Sequence, residues 1–234
     1  MVEPGGEDMA TSDTNETTVA IGPHRLEGDL SVPADAAGLV IFAHGSGSSR
    51  RSVRNRAVAS SLNELGVATL LFDLLTPEES EDRGLVFDIP LLSGRLSAAT
   101  RWAREHGDVG ELPFGYFGAS TGAAAALTAA AKDPEGIGAV VSRGGRPDLV
   151  PAGELLRVRA PTLLIVGGHD HVVLGLNREV EALMRCERRL EVVPGATHLF
   201  EEEGALERVM HLANAWFLRY LVAGGSGKVA DVDR

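Results

Sequence analysis

Cysteine is nearly absent from this chain of 234 residues: Cys186 stands alone, so no internal disulfide can form. With no disulfide framework, a reducing cytoplasm is the expected compartment. Long apolar runs are missing too. None reaches the roughly 18 to 20 residues needed to cross a bilayer, which argues against a helical membrane span. The first twenty residues are acidic and polar, with neither a basic start nor an apolar stretch after it, and predict no secretory signal. Basic residues are outnumbered: 22 Lys and Arg against 33 Asp and Glu leave a net charge of −11. That field repels phosphate backbones and argues against nucleic-acid binding. Metal-site spacing is lacking as well, because one cysteine and seven scattered histidines supply no pair of ligand pairs. The nearest approach is His169-Asp170-His171, read as an extended segment with two side chains on one side.

What is present is an ordinary globular composition, 44% apolar and 24% charged, at a length that suits one α/β domain. Residues 1–17 are rich in Glu, Asp, Thr, Ser and Gly and are read as a flexible acidic tail; residues 222–234 are read as a second one. The domain is placed between them, at 18–221. Residues 18–21 and 26–32 read as an antiparallel hairpin around a Gly-Pro turn. Continuous apolar runs at 39–43, 68–72, 114–117, 139–141 and 162–166, with a shorter one at 190–193, have the character of strands buried on both faces. Helical spacing of apolar residues predicts helices over 54–65, 90–106, 121–132, 176–186 and 205–221. Buried strands alternating with helices mean a mainly parallel sheet covered on both faces, with active groups at the carboxyl edge of its strands.

The most informative segment is Gly118-Ala119-Ser120-Thr121-Gly122, set between a strand and a helix rich in alanine. This is the context of a Gly-x-Ser-x-Gly nucleophile elbow, in which a sharp turn presents the serine hydroxyl at a helix N-terminus. A serine hydroxyl is a poor nucleophile at its free pKa, so a base and an orienting acid must come from elsewhere. Asp170 follows the strand at 162–166 and the turn Gly167-Gly168. His198 follows the strand at 190–193 and the loop Pro194-Gly195-Ala196-Thr197. The order Ser120, Asp170, His198 is that of the α/β-hydrolase arrangement. The turn His44-Gly45-Ser46-Gly47 after the first parallel strand predicts an oxyanion hole from the backbone N–H groups of Ser46 and Thr121.

These four segments together, His44 to Gly47, Gly118 to Gly122, Gly168-x-Asp170 and Gly195 to His198, resemble the α/β-hydrolase superfamily, and size and order resemble its dienelactone hydrolase family. The resemblance covers about residues 18–221. It implies the α/β-hydrolase fold with an eight-stranded, mostly parallel sheet, helices on both faces, a catalytic triad, no cofactor, and hydrolysis of small esters or lactones. Dienelactone hydrolases typically use a cysteine nucleophile, whereas Ser120 stands at that position here, which moves the expectation toward a general serine esterase. The same triad would also serve a thioesterase or a small peptidase, and a ligand-binding protein retaining the fold is the alternative of another class.

Other residues are weighed against this frame. Ser120 and Asp170 would each also suit a helix cap, and Asp73 and Asp148 are competing acids. His44 precedes the nucleophile and reads as a structural residue of the oxyanion turn. Arg50, Arg51, Arg54, Arg56, Arg143 and Arg146 cluster around the active-edge loops. Arg143, whose strand should end beside the elbow, is the candidate for binding an acidic group on the substrate; the alternative is a set of surface arginines paired with Asp and Glu. Residues 76–83 read as a solvated acidic loop, and Trp102 and Trp216 as core residues. Only about twenty residues separate 141 from 162, too few for a cap domain, so a shallow cleft and a small-molecule substrate are expected.

Overall fold

The computed structural model describes residues 14–223. Its strands are β1 (Thr14–Ile21), β2 (Leu26–Pro33), β3 (Leu39–Ala43), β4 (Ala68–Phe72), β5 (Phe114–Ala119), β6 (Ala139–Arg143), β7 (Thr162–Gly167) and β8 (Arg188–Val193). They form one eight-stranded sheet in the order β1-β2-β4-β3-β5-β6-β7-β8. Only β2 runs against the rest, pairing antiparallel with β1 and β4; every other neighbouring pair is parallel.

The apolar runs form strands because both faces of the sheet are covered. Every residue of β3 is buried, and its side chains alternate. Leu39, Ile41 and Ala43 join one core cluster, while Val40 and Phe42 join the other. The first cluster is completed by α4 (Ile89–Arg104) and α5 (Thr121–Lys132), the second by α1 (Val53–Asn63) and α8 (Ala205–Phe217). Trp216 is buried in the second, and Trp102 packs partly buried on the first. Helix α1 ends as its sequence suggests, with Gly66 in the left-handed region at φ +73°. The remaining helices are α2 (Pro77–Ser80), α3 (Arg83–Val86), α6 (Ala152–Leu155) and α7 (His171–Leu183). No helix is long and apolar enough to cross a membrane among the described residues.

The structure departs from the sequence reading in several places. Residues 14–17, assigned above to a flexible tail, belong to β1 and pair with β2 from Thr14 opposite Pro33. The rest of the first tail, and residues 224–234 of the second, lie outside the described residues; Val222, assigned above to the second tail, ends a π-helical turn, Leu218–Val222. Helix α7 starts at His171, five residues before the expected 176, so His169-Asp170-His171 is a loop-to-helix junction and not an extended segment. Residues 76–83 are solvated as expected, but they are not all loop: they carry the one-turn helix α2 and the first residue of α3. Thr76 caps α2 through a reciprocal capping box with Glu79, and Asp82 caps α3 through Gly84 N–H.

Between β6 and β7 the chain makes only a 3-10 turn (Pro147–Leu149) and α6. No large cap domain covers the carboxyl edge among the described residues. From β3 the chain crosses through α1 to β4 on one side; β5 lies on the other side of β3. The order therefore reverses between β3 and β5, where an open α/β sheet forms a crevice at its carboxyl end.

Candidate active site

Ser120 follows β5 in this crevice. Its backbone is left-handed, φ +52° and ψ −119°, an arrangement L-residues rarely adopt and one that lifts the side chain out of the strand-to-helix path. Glycines on either side make the turn possible. A Cβ at Gly122 would lie 2.1 Å from the Ala43 carbonyl oxygen, and one at Gly118 would lie 2.4 Å from Ala123 Cα. Ser120 occupies the N-cap position of α5, yet its hydroxyl makes no capping bond. The same is true of Asp170 at the head of α7. Neither side chain is committed to the helix it precedes, which removes the capping explanation for both.

The parallel pairing of β7 with β8 brings Asp170 and His198 together. Their loops lock backbone to backbone: Gly168 N–H donates to Val193 O at 2.8 Å and His169 N–H to Ala196 O at 2.9 Å. A Cβ at Gly167 would come within 2.4 Å of Ala196 O, so the loops approach this closely only over a glycine. Asp170 Oδ2 lies 2.7 Å from His198 Nδ1. A carboxylate there accepts the Nδ1–H and leaves Nε2 as the free acceptor of the ring. The carboxylate is 14% exposed and the imidazole 39%, so the acid is shielded while the ring remains open to a reactant. The competing acids are spent on arginines, Asp73 with Arg50 and Asp148 with Arg146.

The segment that leaves β6 touches both Ser120 and His198. Ser120 N–H donates to Arg143 O (3.1 Å), Arg146 N–H donates to Ser120 O (3.2 Å), and Gly144, at φ +52°, abuts the imidazole. A Cβ on Gly144 would sit 3.5 Å from both Nδ1 and Cε1 of His198. The Ser120 hydroxyl makes no hydrogen bond among the described residues; a nucleophile and its base often close their bond only when a substrate is seated.

The oxyanion turn lies alongside. In the register of β3 and β5, Ala43 pairs with Gly118, which sets Gly45 against Ser120. Thr121 heads α5, so its N–H has no acceptor within the helix. Ser46 N–H donates to Thr121 Oγ1 at 2.9 Å, a bond that ties the turn to the elbow and engages the second expected donor. The sequence reading missed this hydroxyl, because Thr121 entered it only as a backbone donor. His44 spends both ring nitrogens on backbone: Leu74 N–H donates to Nε2, and Nδ1 lies 3.0 Å from Gly45 O. An accepting Nε2 puts the proton on Nδ1. Burial pushes the His44 pKa down, against smaller raising effects of the Gly45 bond and Asp73, so a neutral ring holds the turn.

Beside Thr121 and the oxyanion turn opens a cleft of about 420 Å³, lined with hydroxyls of Ser46, Ser48, Thr76 and Thr121 and with apolar Leu74, Leu75, Val86 and Leu92. The short helices α2 and α3, unrecognised in the sequence, contribute to it. Among the arginines of the edge, Arg50 pairs with Glu27, Asp29 and Asp73, Arg54 with Glu201, Arg56 with Asp29 and Arg146 with Asp148. Arg143 has no carboxylate partner among the described residues. It is 8% exposed, and it does not line the cleft, nor do Ser120, Asp170 and His198. Its guanidinium lies 5.8 Å from the centre of the Phe200 ring and 3.5 Å from Asn55 Oδ1. Burial, and then the neighbouring Arg54, lower its pKa to about 10. No group of three or more His, Cys, Asp or Glu side chains could hold a metal ion among the described residues.

Comparison with known proteins extends this geometry. The crystal structure of a dienelactone hydrolase from Anabaena variabilis superposes with a TM-score of 0.85 at 52% identity, covering 90% of this chain and 99% of that one. Est1E from Butyrivibrio proteoclasticus has the same fold at 18% identity, with a TM-score of 0.73 over 87% of this chain and 98% of its own. A Mycobacterium tuberculosis protein provisionally named a phosphoribosyl transferase is 57% identical over 211 residues, 90% of this chain. The chain spans about half, 47%, of the length of that relative. No family model matches the chain.

Proposed function

We propose that this chain, which belongs to the dienelactone hydrolase family of the α/β hydrolases, cleaves small carboxylic esters or lactones through an acyl-enzyme on Ser120. The observation that carries the reading is the 2.7 Å bond between Asp170 and His198 beside a left-handed Ser120 whose hydroxyl is free of capping duty. In this mechanism His198 Nε2 takes the proton of Ser120 Oγ as the oxygen attacks the carbonyl carbon. Asp170 holds the ring in the tautomer that makes Nε2 the base and favours the imidazolium that forms. Thr121 N–H and Ser46 N–H hold the oxyanion, the second by turning from the Thr121 hydroxyl to the developing charge. His198 then protonates the leaving oxygen, and water repeats the sequence to release the acid and restore Ser120.

The hydroxyl-lined cleft and the lack of a large cap among the described residues suit a small acyl group, and none of these steps calls for a cofactor. The transferase name of the mycobacterial relative describes a protein about twice as long, and its activity is not carried over to this half. The test is turnover of a short p-nitrophenyl ester, with fluorophosphonate labelling as a second readout. Ser120→Ala is expected to lose labelling and at least about 10³-fold of kcat. Equal turnover by the two proteins would remove the mechanism. Selective turnover of an acyl-CoA or a peptide would keep the triad and replace the substrate class.

A further inference from the structure

One residue touches the frames of both reacting groups without lining the cleft. The Arg143 carbonyl accepts the Ser120 N–H at 3.1 Å, while its guanidinium lies under the ring of Phe200, two residues past His198. Phe200 closes a turn around the base, its N–H donating to Thr197 O at 3.3 Å. It does so at φ +54°, a strained backbone for a bulky side chain, with the ring only 1% exposed. The guanidinium itself is poorly satisfied. Nε is buried with no partner, the bond to Asn55 is long at 3.5 Å, and the like charge of Arg54 acts on it unfavourably. A buried charge with no counter-ion destabilises a fold, so its place here is not explained by stability. The ring face of Phe200 is the group that attracts it.

We propose that Arg143 is a positioning residue: by drawing Phe200 down over β6 it seats the turn at 197–200 and sets His198 against Ser120. His198 is thereby held from two sides, by Asp170 on the ring and by the Arg143–Phe200 stack through the backbone. This rests on the serine-hydrolase reading above.

The test compares wild type with Arg143→Met and Arg143→Lys by the rate of fluorophosphonate labelling, by kcat and KM on a short ester, and by Tm. Arg143→Met is expected to slow labelling and kcat by about 10- to 100-fold, the scale of an ångström-size misplacement, with KM within about twofold. Its Tm should hold or rise, because an uncompensated buried charge has gone. Arg143→Lys should stay within about threefold of wild type, since an ammonium under the ring keeps the attraction. Unchanged labelling in Arg143→Met overturns the proposal. So does a rise in KM alone, which would mark a substrate contact, a rate loss that follows a fallen Tm, which would mark packing, or an Arg143→Lys as slow as Arg143→Met. If Arg143→Met does not fold, Phe200→Leu carries the same expectation of lost rate at unchanged KM. A wild-type protein that neither labels nor cleaves esters defeats the hydrolase reading itself, whereas a reactive wild type with unaffected variants defeats only this inference.

Discussion

The two flanks of the carboxyl edge use the same residue types in opposite ways. On the flank of β2 and β4, arginine and carboxylate neutralise each other: Arg50 sits among Glu27, Asp29 and Asp73, and Arg56 adds a further bond to Asp29. On the flank of β6 to β8 Arg146 still pairs with Asp148, but two groups stand outside such pairs. Asp170 holds an imidazole, and Arg143 holds an aromatic ring. A carboxylate matched to an arginine is a closed pair, bound to the scaffold and unable to orient a titrating partner. A carboxylate given to a histidine leaves the other ring nitrogen ready to move a proton. The proposed reaction draws on the side chains whose charges are not spent on one another.

The strongest way to break this comparison is Asp170→Asn. An amide cannot favour the imidazolium and can stabilise the wrong tautomer, so kcat on a short ester is expected to fall by about 10³- to 10⁴-fold. Tm should move little, because the Asp170 carboxylate caps nothing. A variant with near-wild-type turnover would show that the Asp170–His198 bond is merely structural.

Arg50→Met should give the opposite pattern. Removing one cation strands the carboxylate of Asp73, whose side chain is only 21% exposed, while Asp29 keeps Arg56. Breaking such a shielded network costs about 3 kcal/mol, a loss of roughly 8 °C in Tm for a chain of this size. Turnover measured well below the new Tm should stay within about threefold of wild type. A fall in kcat without a fall in Tm would erase the contrast between the flanks.

The smallest effect is expected at Cys186, where the family resemblance raises the question of a thiol nucleophile. Cys186 is buried, its thiol lies 3.8 Å from Thr162 Oγ1 at the start of β7, and this is the edge of the sheet opposite Ser120. Burial pushes its pKa up, so less thiolate is present at any given pH than for an exposed cysteine. Iodoacetamide at pH 8 is expected to label it slowly and to leave ester turnover unchanged. Inactivation in step with alkylation would move the reacting centre away from Ser120.

Much of this arrangement was legible beforehand. The buried strands announced themselves as apolar runs, because a parallel sheet covered on both faces admits little else, and α5 runs over 121–132 as its sequence predicts. The elbow was readable because only glycine fits at positions 118 and 122. What escaped notice lacked a side-chain signature. The first residues of β1 are polar and exposed, and they form strand through the backbone ladder offered by the edge of β2. Helices α2 and α3 are single turns, too short for a periodic pattern to show. The start of α7 was misplaced because its head, Asp170, had been assigned to chemistry instead of to a helix boundary.

The order of Ser120, Asp170 and His198 and the glycines that let the chain turn sharply are properties of local sequence, and local sequence determined them. Which charges meet is another matter. Arg50 and Arg143 read alike along the chain, and only the folded sheet decided that three carboxylates converge on one while a phenylalanine ring closes over the other. Coulomb and cation–π attractions act over a few ångströms, and those distances are set by strand order and loop packing.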